Sequence, residues 1–330
     1  MFTRPSSLSD VEIVDALAAH WGQGVDRVEY APVGFGSHHW FAGTTEGWEL
    51  FVTVDDLTAK ANFPGEPLDR AYERLDAAFT TSRDLADLGC RFVVAPLRAR
   101  DGDVLHRLDG LHTIACFPYL DGQVGHHGAY RSEQDRAAVA ELLVTLHQID
   151  RPWLGNCHVE DFELSNRDEL VLALHQIDVP WSGGPFSEPT RELLRASAEG
   201  VARRLGRYDE HVSEARPTRE HWVITHGEPH GSNALTTADE VVLIDWDTVL
   251  IAPRERDVWH LDADDTTAAG LYVAAGGPPL DDALLDLYRL QWDLSEIAGY
   301  TTHFRDRHDD TDDARESFVN LTHSLERCNR

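Results

Sequence analysis

Apolar and polar positions alternate in two distinct rhythms along this chain, and the change of rhythm divides it. Near the start, Ser9-Asp10-Val11-Glu12 fits a capping box, and Val11, Val14, Leu17, Ala18 and Trp21 follow at helical spacing until Gly22. Short strand-like runs come next: Arg27–Val33, His38–Ala42 and Trp48–Val54, with Gly34-Phe35-Gly36-Ser37 as a glycine turn between the first two. Pro67–Leu88 carries Leu68, Ala71, Tyr72, Leu75, Ala78, Phe79 and Leu85 on one side and predicts a helix. The turns Asp101-Gly102 and Asp109-Gly110 then separate three expected strands, Val93–Arg98, Val104–Leu108 and Leu111–Phe117.

Pro118-Tyr119-Leu120-Asp121-Gly122 interrupts this pattern. Beyond it the period is mainly helical, over Glu133–Ile149, Arg167–Ile177, Pro189–Val212 and from Glu255 onward, with short strands at Trp222–Thr225 and Val241–Ile244. The run Leu146-His147-Gln148-Ile149-Asp150 recurs as Leu174-His175-Gln176-Ile177-Asp178; both copies read as helix ends stopped by the prolines that follow, too few for a solenoid. Strands and helices are segregated, so the expected class is α+β with two lobes: residues 1–118 an antiparallel-sheet N-lobe and 119–330 a helical C-lobe.

Composition narrows the function. The chain carries 58 acidic against 29 basic residues, a net charge of −29. Such a surface disfavours nucleic acid and anionic membrane as partners and favours a cationic one, although general solubility would explain it as well. No apolar run is long enough to cross a bilayer. Cys90, Cys116, Cys157 and Cys328 form no CxxC pair, so a reduced, cytoplasmic protein is expected, as monomer or homodimer. Lys60 is the only lysine.

The chemistry concentrates in Thr225-His226-Gly227-Glu228-Pro229-His230-Gly231-Ser232-Asn233, where an apolar strand runs into a polar loop bearing an acid and an amide. A second apolar strand, Val241–Ile244, then ends in Asp245-Trp246-Asp247. Phosphoryl transfer needs such a set: one carboxylate to orient a hydroxyl and take its proton, and oxygen ligands for the magnesium on the phosphates. The combined stretch resembles the signature of the aminoglycoside phosphotransferase family, relatives of the protein kinases, which reads H-G-D-x-x-x-x-N and then I-D-[WFC]. Ala252-Pro253-Arg254-Glu255-Arg256-Asp257-Val258-Trp259 resembles its continuation, and the order of lobes agrees over most of the chain.

The resemblance implies an enzyme that uses Mg²⁺ and ATP or GTP. It implies Glu228 as catalytic base, Asn233 and Asp245 as metal ligands, and His226 and Asp257 as supports of the loop. It further implies Leu235 and Ile244 under the adenine, Phe117, Pro118, Tyr119 and Leu120 as the hinge that pairs with the base, and Gly34, Gly36 and Ser37 over the phosphates. Two positions depart from the pattern. Glutamate replaces aspartate at 228, and Thr53 stands where the third strand normally carries a phosphate-binding lysine. Lys60 is the candidate to supply that charge, oriented by Asp69 or Glu73; the alternative is a lysine of no function on the surface. For the acceptor, Asp262, Asp264, Asp265, Trp292, Glu296 and Tyr300 offer acids beside aromatics, suited to an ammonium-bearing molecule with an apolar face, or simply a solvated helix face. The expected acceptor is a small cationic antibiotic, of aminoglycoside, aminocyclitol, peptide or nucleoside type, whose phosphorylation gives resistance. A metabolic kinase for choline, homoserine or a sugar, and a nucleotide-binding pseudokinase, are the other readings.

Overall fold

The computed structural model describes residues 1–22, 24–34, 36–126, 128–150, 157–261 and 268–328. Helix α1 (Asp10–Ala16) starts on the expected capping box: the Glu12 N–H donates to Ser9 Oγ at 3.3 Å, and Glu12 Oε2 accepts from the Ser9 N–H at 2.8 Å. A π-helical turn, Leu17–Trp21, extends it to Gly22, whose φ of 69° closes the turn. Strands β1 (Arg27–Ala31), β2 (His38–Thr44), β3 (Gly47–Asp56), β4 (His106–Arg107) and β5 (His112–Pro118) form one antiparallel sheet in the order β1-β2-β3-β5-β4.

Period-two alternation gives this sheet two different faces. Leu50, Val52 and Val54 of β3 pack with Ile114 and Cys116 of β5 against Ile13, Leu17 and Trp21. Ala115 and Phe117 face the other way, with Phe51 at their margin, onto Leu75 and Phe79 of α2 (Leu68–Asp87). Thr53 and Asp55 share that second side by register, which bears on the site below.

Two expected strands change. Val93–Arg98 is a crossing rather than a strand: the Val94 N–H donates to Leu243 O at 3.1 Å in the helical lobe, and the Leu97 N–H donates to Cys116 O at 2.6 Å in the sheet. Pro96 between them has no N–H with which to continue a ladder. Val104–Leu108 pairs with β5 only from His106 onward, because Val104 and Leu105 are drawn under α2 into its core.

After Pro118 the chain lies against the helical lobe, where the Gln123 N–H and Thr236 O pair at 3.0 Å. Gly122 permits this approach, since a Cβ there would meet Leu235 Cδ1 and Thr236 O at 2.9 Å. The lobe is built from α3 (Glu133–His147), α4 (Arg167–His175), α5 (Ser187–Ala215), α6 (Glu255–Val258), α7 (Ala268–Ala274), α8 (Asp282–Arg305) and α9 (Asp312–Cys328). Two small antiparallel ribbons, β6 (Val223–Thr225) with β9 (Leu250–Ala252) and β7 (Ala234–Thr236) with β8 (Val241–Leu243), carry the loop 226–233 between them. Both ribbons are anchored by buried apolar groups, among them Ile224, Ala234, Leu243 and Trp246 packed on Val139 and Leu143 of α3. The architecture is a bilobal α+β fold, as the sequence leads one to expect.

Candidate active site

The loop 226–233 is held by its own side chains. His226 Nδ1 accepts the Glu228 N–H at 3.2 Å, which leaves Nε2 to donate to Ile244 O at 2.9 Å. Asn233 Nδ2 donates to Glu228 O at 2.9 Å. The histidine and asparagine therefore fix the two backbone polar groups of the residue between them. Burial lowers the His226 pKa to about 4, so the ring is neutral and this tautomer is stable. Gly227, at φ 104°, has no room for a Cβ, which would meet Arg256 and Thr248 at 2.5 Å.

Asp257 secures the loop from behind. It is wholly buried and accepts from the His226 N–H at 2.9 Å, the Gly227 N–H at 2.7 Å and His147 Nε2 at 3.0 Å. Burial works to raise its pKa; His147, by hydrogen bond and charge, leads the groups that outweigh this and hold it low. The Tyr272 hydroxyl meets His147 Nδ1 at 2.8 Å. His147 belongs to the first copy of the repeated Leu-His-Gln-Ile-Asp run, whereas His175 of the second copy is exposed on α4. Sequence reasoning read both as helix ends and missed this difference.

Glu228 is partly open, its side chain 34% exposed, with Oε2 3.8 Å from His230 Nε2. Burial pushes its pKa up, but His230 first, then Arg256 and His226, bring it below the ordinary carboxylate value. The group is thus an ionised acceptor at neutral pH.

Asp245 follows β8 in the left-handed region, at φ 66°, an uncommon conformation for a residue with a side chain. The Ile244 N–H donates to Asn233 O at 3.0 Å, so this strand end abuts the loop. Asp245 is exposed, yet desolvation by the neighbouring protein and then the charge of Asp247 raise its pKa well above the usual range. With its amide nitrogen committed to Glu228, Asn233 keeps its oxygen for a ligand. An amide oxygen beside two crowded carboxylates is an all-oxygen, electron-rich donor set that fits a hard divalent cation such as Mg²⁺.

Lys60 enters this cluster. Its Nζ lies 2.7 Å from Asp247 Oδ2 and 3.2 Å from Asp55 Oδ1. Burial alone would lower its pKa, but Asp247, then Asp55 and Asp245, raise it well above the ordinary value. The expected orienting acids are elsewhere: Asp69 pairs with Arg107 at 2.5 Å and Glu73 is exposed. The glycine turn stands close by, Gly34 and Gly36 at φ 71° and 91°, and Ser37 Oγ donates to Asp55 Oδ1 at 2.5 Å. Thr53 Oγ1 lies 3.2 Å from His39 Nδ1, and burial lowers that histidine to about 3, so no cation occupies the strand-lysine position.

Of the residues expected to form the hinge, Phe117 is paired in the sheet, Pro118 has no N–H and the Tyr119 N–H donates to Glu49 O at 2.9 Å. Leu235 lies on β7 and Ile244 just beyond β8, both half-buried.

A cavity of about 380 Å³ opens beside Glu228 and Asp247. Its walls bring Trp259 and His260, from the turn after α6, to Tyr288, Gln291, Trp292 and Ser295 of α8, and to Glu160, Asp161 and Glu163. Trp259 and Trp292 stand 5.7 Å apart, and His260 meets Trp292 edge-on at 5.3 Å. Trp292, one of the residues expected to meet the acceptor, lines this cavity. Glu296 and Tyr300 lie further along α8, outside the lining, where burial raises the Glu296 pKa to about 7. Asp262, Asp264 and Asp265 fall outside the described residues. The acids 160, 161 and 163 were missed because no motif surrounds them. A more open depression of about 560 Å³ near His221, Pro253 and Pro279 contains none of the loop's groups.

Comparison with known proteins gives a consistent picture. The family model described as "Phosphotransferase enzyme family" matches residues 28–300. Protein StrN of Streptomyces griseus is 31% identical over 302 residues, covering 88% of this chain and 85% of that protein. In fold, the chain is similar to a spectinomycin phosphotransferase solved with ADP and spectinomycin, at TM-score 0.76, 15% identity and 98% coverage of both chains. It is also similar to APH(2")-IIia solved with GDP and kanamycin, at TM-score 0.62 and 14% identity over 97% of this chain and 100% of that one.

Proposed function

Because the chain belongs to the phosphotransferase enzyme family, we propose that it transfers the γ-phosphate of ATP or GTP to a hydroxyl of a small cationic antibiotic, inactivating it. The observation that carries this reading is the Glu228 carboxylate, ionised and half-open, at the border between an oxygen-rich cluster and a cavity walled by tryptophans and acids. Aromatic faces and carboxylates together suit a molecule that carries ammonium groups on a ring.

In this reading Glu228 accepts the hydrogen bond of the acceptor hydroxyl and takes its proton as the oxygen attacks the γ-phosphorus. The new O–P bond forms as the bond to the β-phosphate oxygen breaks, and the nucleoside diphosphate leaves. Asn233 and Asp245 would hold Mg²⁺, which when bound neutralises charge on the phosphates. Gly34, Gly36 and Ser37 cover the phosphates, and Lys60 supplies the charge that Thr53 cannot. Leu235 and Ile244 form the floor for the adenine. The Leu120 N–H is the hinge's available donor, since its three predecessors are paired or lack one. Residues 1–118 and 119–330 act as the two lobes around this cleft.

Glutamate is longer than aspartate by about one C–C bond, and it projects from a backbone fixed at both its N–H and its C=O. A metabolic kinase for an amino alcohol would use the same aromatic and acidic walls. The fold similarity to an aminopropanol kinase, TM-score 0.59 at 15% identity, keeps that acceptor in the test. The experiment is incubation with Mg²⁺, ATP or GTP and a panel of aminocyclitols, aminoglycosides and amino alcohols, read by mass spectrometry. Gain of one phosphoryl group on a cationic antibiotic, abolished by Glu228→Ala, is expected. Transfer to amino alcohols alone would select the metabolic reading, and nucleotide binding with no transfer would select the pseudokinase.

A further inference from the structure

We infer that Asp55 is the carboxylate that aims Lys60 at the nucleotide phosphates, and that Lys60 reaches them by exchanging Asp247 for phosphate while keeping Asp55. This rests on the phosphate-binding role proposed for Lys60.

The argument starts from the register of β3. Thr53 and Asp55 are two residues apart and share one side of the strand. The side that lacks the expected lysine thus presents a carboxylate at its next position. Asp55 is only 1% exposed. Its Oδ1 takes the Ser37 hydroxyl at 2.5 Å and Lys60 Nζ at 3.2 Å, while its buried Oδ2 has no hydrogen-bond partner. A buried carboxylate oxygen without a partner is costly, and such an atom marks a place completed by a ligand or by rearrangement.

Helix α2, which carries the orienting acid in the expected pattern, does another job. Arg74 Nη2 donates to Lys60 O at 3.0 Å, and Glu66 grips Arg74 through bonds of 2.6 and 2.7 Å. The helix thereby fixes the main chain of Lys60, and the strand fixes its ammonium. A flexible side chain anchored at its root and at its tip loses little freedom when a ligand arrives.

The ammonium spans the cleft, with Asp55 from the sheet on one side and Asp247 from beyond β8 on the other. The two contacts differ in kind. Asp55 is tied to the glycine turn through Ser37 and is the more deeply buried of the two. Asp247 stands two residues from Asp245 and lines the acceptor cavity beside Glu228. Entering phosphates compete for the ammonium with Asp247, and the Ser37–Asp55–Lys60 chain passes the change to the turn that covers them.

The test is nucleotide binding without acceptor, by titration calorimetry with ADP and Mg²⁺, on Asp55→Asn, Lys60→Met and the double variant. Each single variant is expected to weaken binding on the order of tenfold, as for loss of a charged hydrogen bond. The double variant is expected to bind no more weakly than Lys60→Met. Unchanged affinity in Asp55→Asn, or a double variant whose loss is the product of the two, would overturn the inference. If Asp55→Asn does not fold, Ser37→Ala replaces it, with a smaller loss that vanishes in the Lys60→Met background. The exchange has its own arm: Asp247→Asn is expected to tighten ADP binding without Mg²⁺ only when Lys60 is present, and an equal gain in Lys60→Met refutes it. Wild-type affinity in Asp55→Asn with acceptor phosphorylation intact sinks this inference alone. The coupled cycle holding while no acceptor is ever phosphorylated sinks the proposed function instead.

Discussion

Replacing Asp257 with asparagine removes one oxygen and one charge from the most enclosed part of the site. The carboxylate satisfies the N–H groups of His226 and Gly227 and His147 Nε2, at 2.9, 2.7 and 3.0 Å, with no solvent access. The amide offers one oxygen. If that oxygen keeps Gly227, the NH₂ group confronts the His226 N–H and His147, and two donors lose their acceptor. A hydrogen bond to a charged group is worth about 1.5–3 kcal/mol, and an unsatisfied buried donor costs about 1–3 kcal/mol. The substitution should therefore destabilise the protein by about 3–5 kcal/mol, a large share of a total that is typically about 5–15 kcal/mol. Urea denaturation measures the loss, and kcat at saturating substrates should fall with it, because the peptide that precedes Glu228 loses its anchor. His147→Leu should cost less and be strongly non-additive with it, since the two side chains share one bond. An Asp257→Asn protein with wild-type midpoint and wild-type kcat would refute the reasoning.

Glu296→Gln should change the pH dependence of stability. The folded pKa is raised to about 7 from an ordinary 4.5 by burial, so the folded state keeps its proton while the unfolded chain has lost it. Stability then falls as pH rises from about 4.5 to 7, by about 1.4 kcal/mol per unit at most. Relative to wild type, the variant should melt higher at pH 8 and equally at pH 4; no pH-dependent difference would exclude the raised pKa. Trp292→Ala should raise the acceptor KM more than the nucleotide KM, because Trp292 lines the cavity and not the hinge; steady-state kinetics with each substrate varied decides it. Gly122→Ala should destabilise by about 1–3 kcal/mol in urea, since its Cβ meets Leu235 and Thr236 O at 2.9 Å; a neutral effect would show that the hinge can yield.

The build of the loop 226–233 was legible because its supports are written beside it. His226 and Asn233 flank Glu228 within eight residues, and Asp257 follows in a recognisable run. Period-two and helical spacing likewise gave the sheet and most helices. The sequence misled where a strand-like run serves another purpose: Val93–Arg98 is apolar and β-branched, but Pro96 and its bonds to both lobes make it a crossing. The parts that stayed hidden depend on contacts distant in sequence. Lys60 and Asp247 are 187 positions apart, and neither Asp69 nor Glu73, the acids nearest by pattern, turns toward the lysine. Arg74, where a partner acid is expected nearby, holds a carbonyl instead. The acids of the cavity come from 160–163, an irregular segment without periodicity, in which Phe162 has φ 62°. His147 could have been noticed, since the repeat singles it out, but only burial separates it from His175.

The most direct measurement is phosphorus NMR of a reaction containing the protein, Mg²⁺, ATP and an aminocyclitol acceptor. The account predicts a new phosphate monoester on the acceptor, appearing as ATP becomes ADP, and absent with Glu228→Ala. Free phosphate alone, or an ester formed equally by the Glu228→Ala variant, would contradict it.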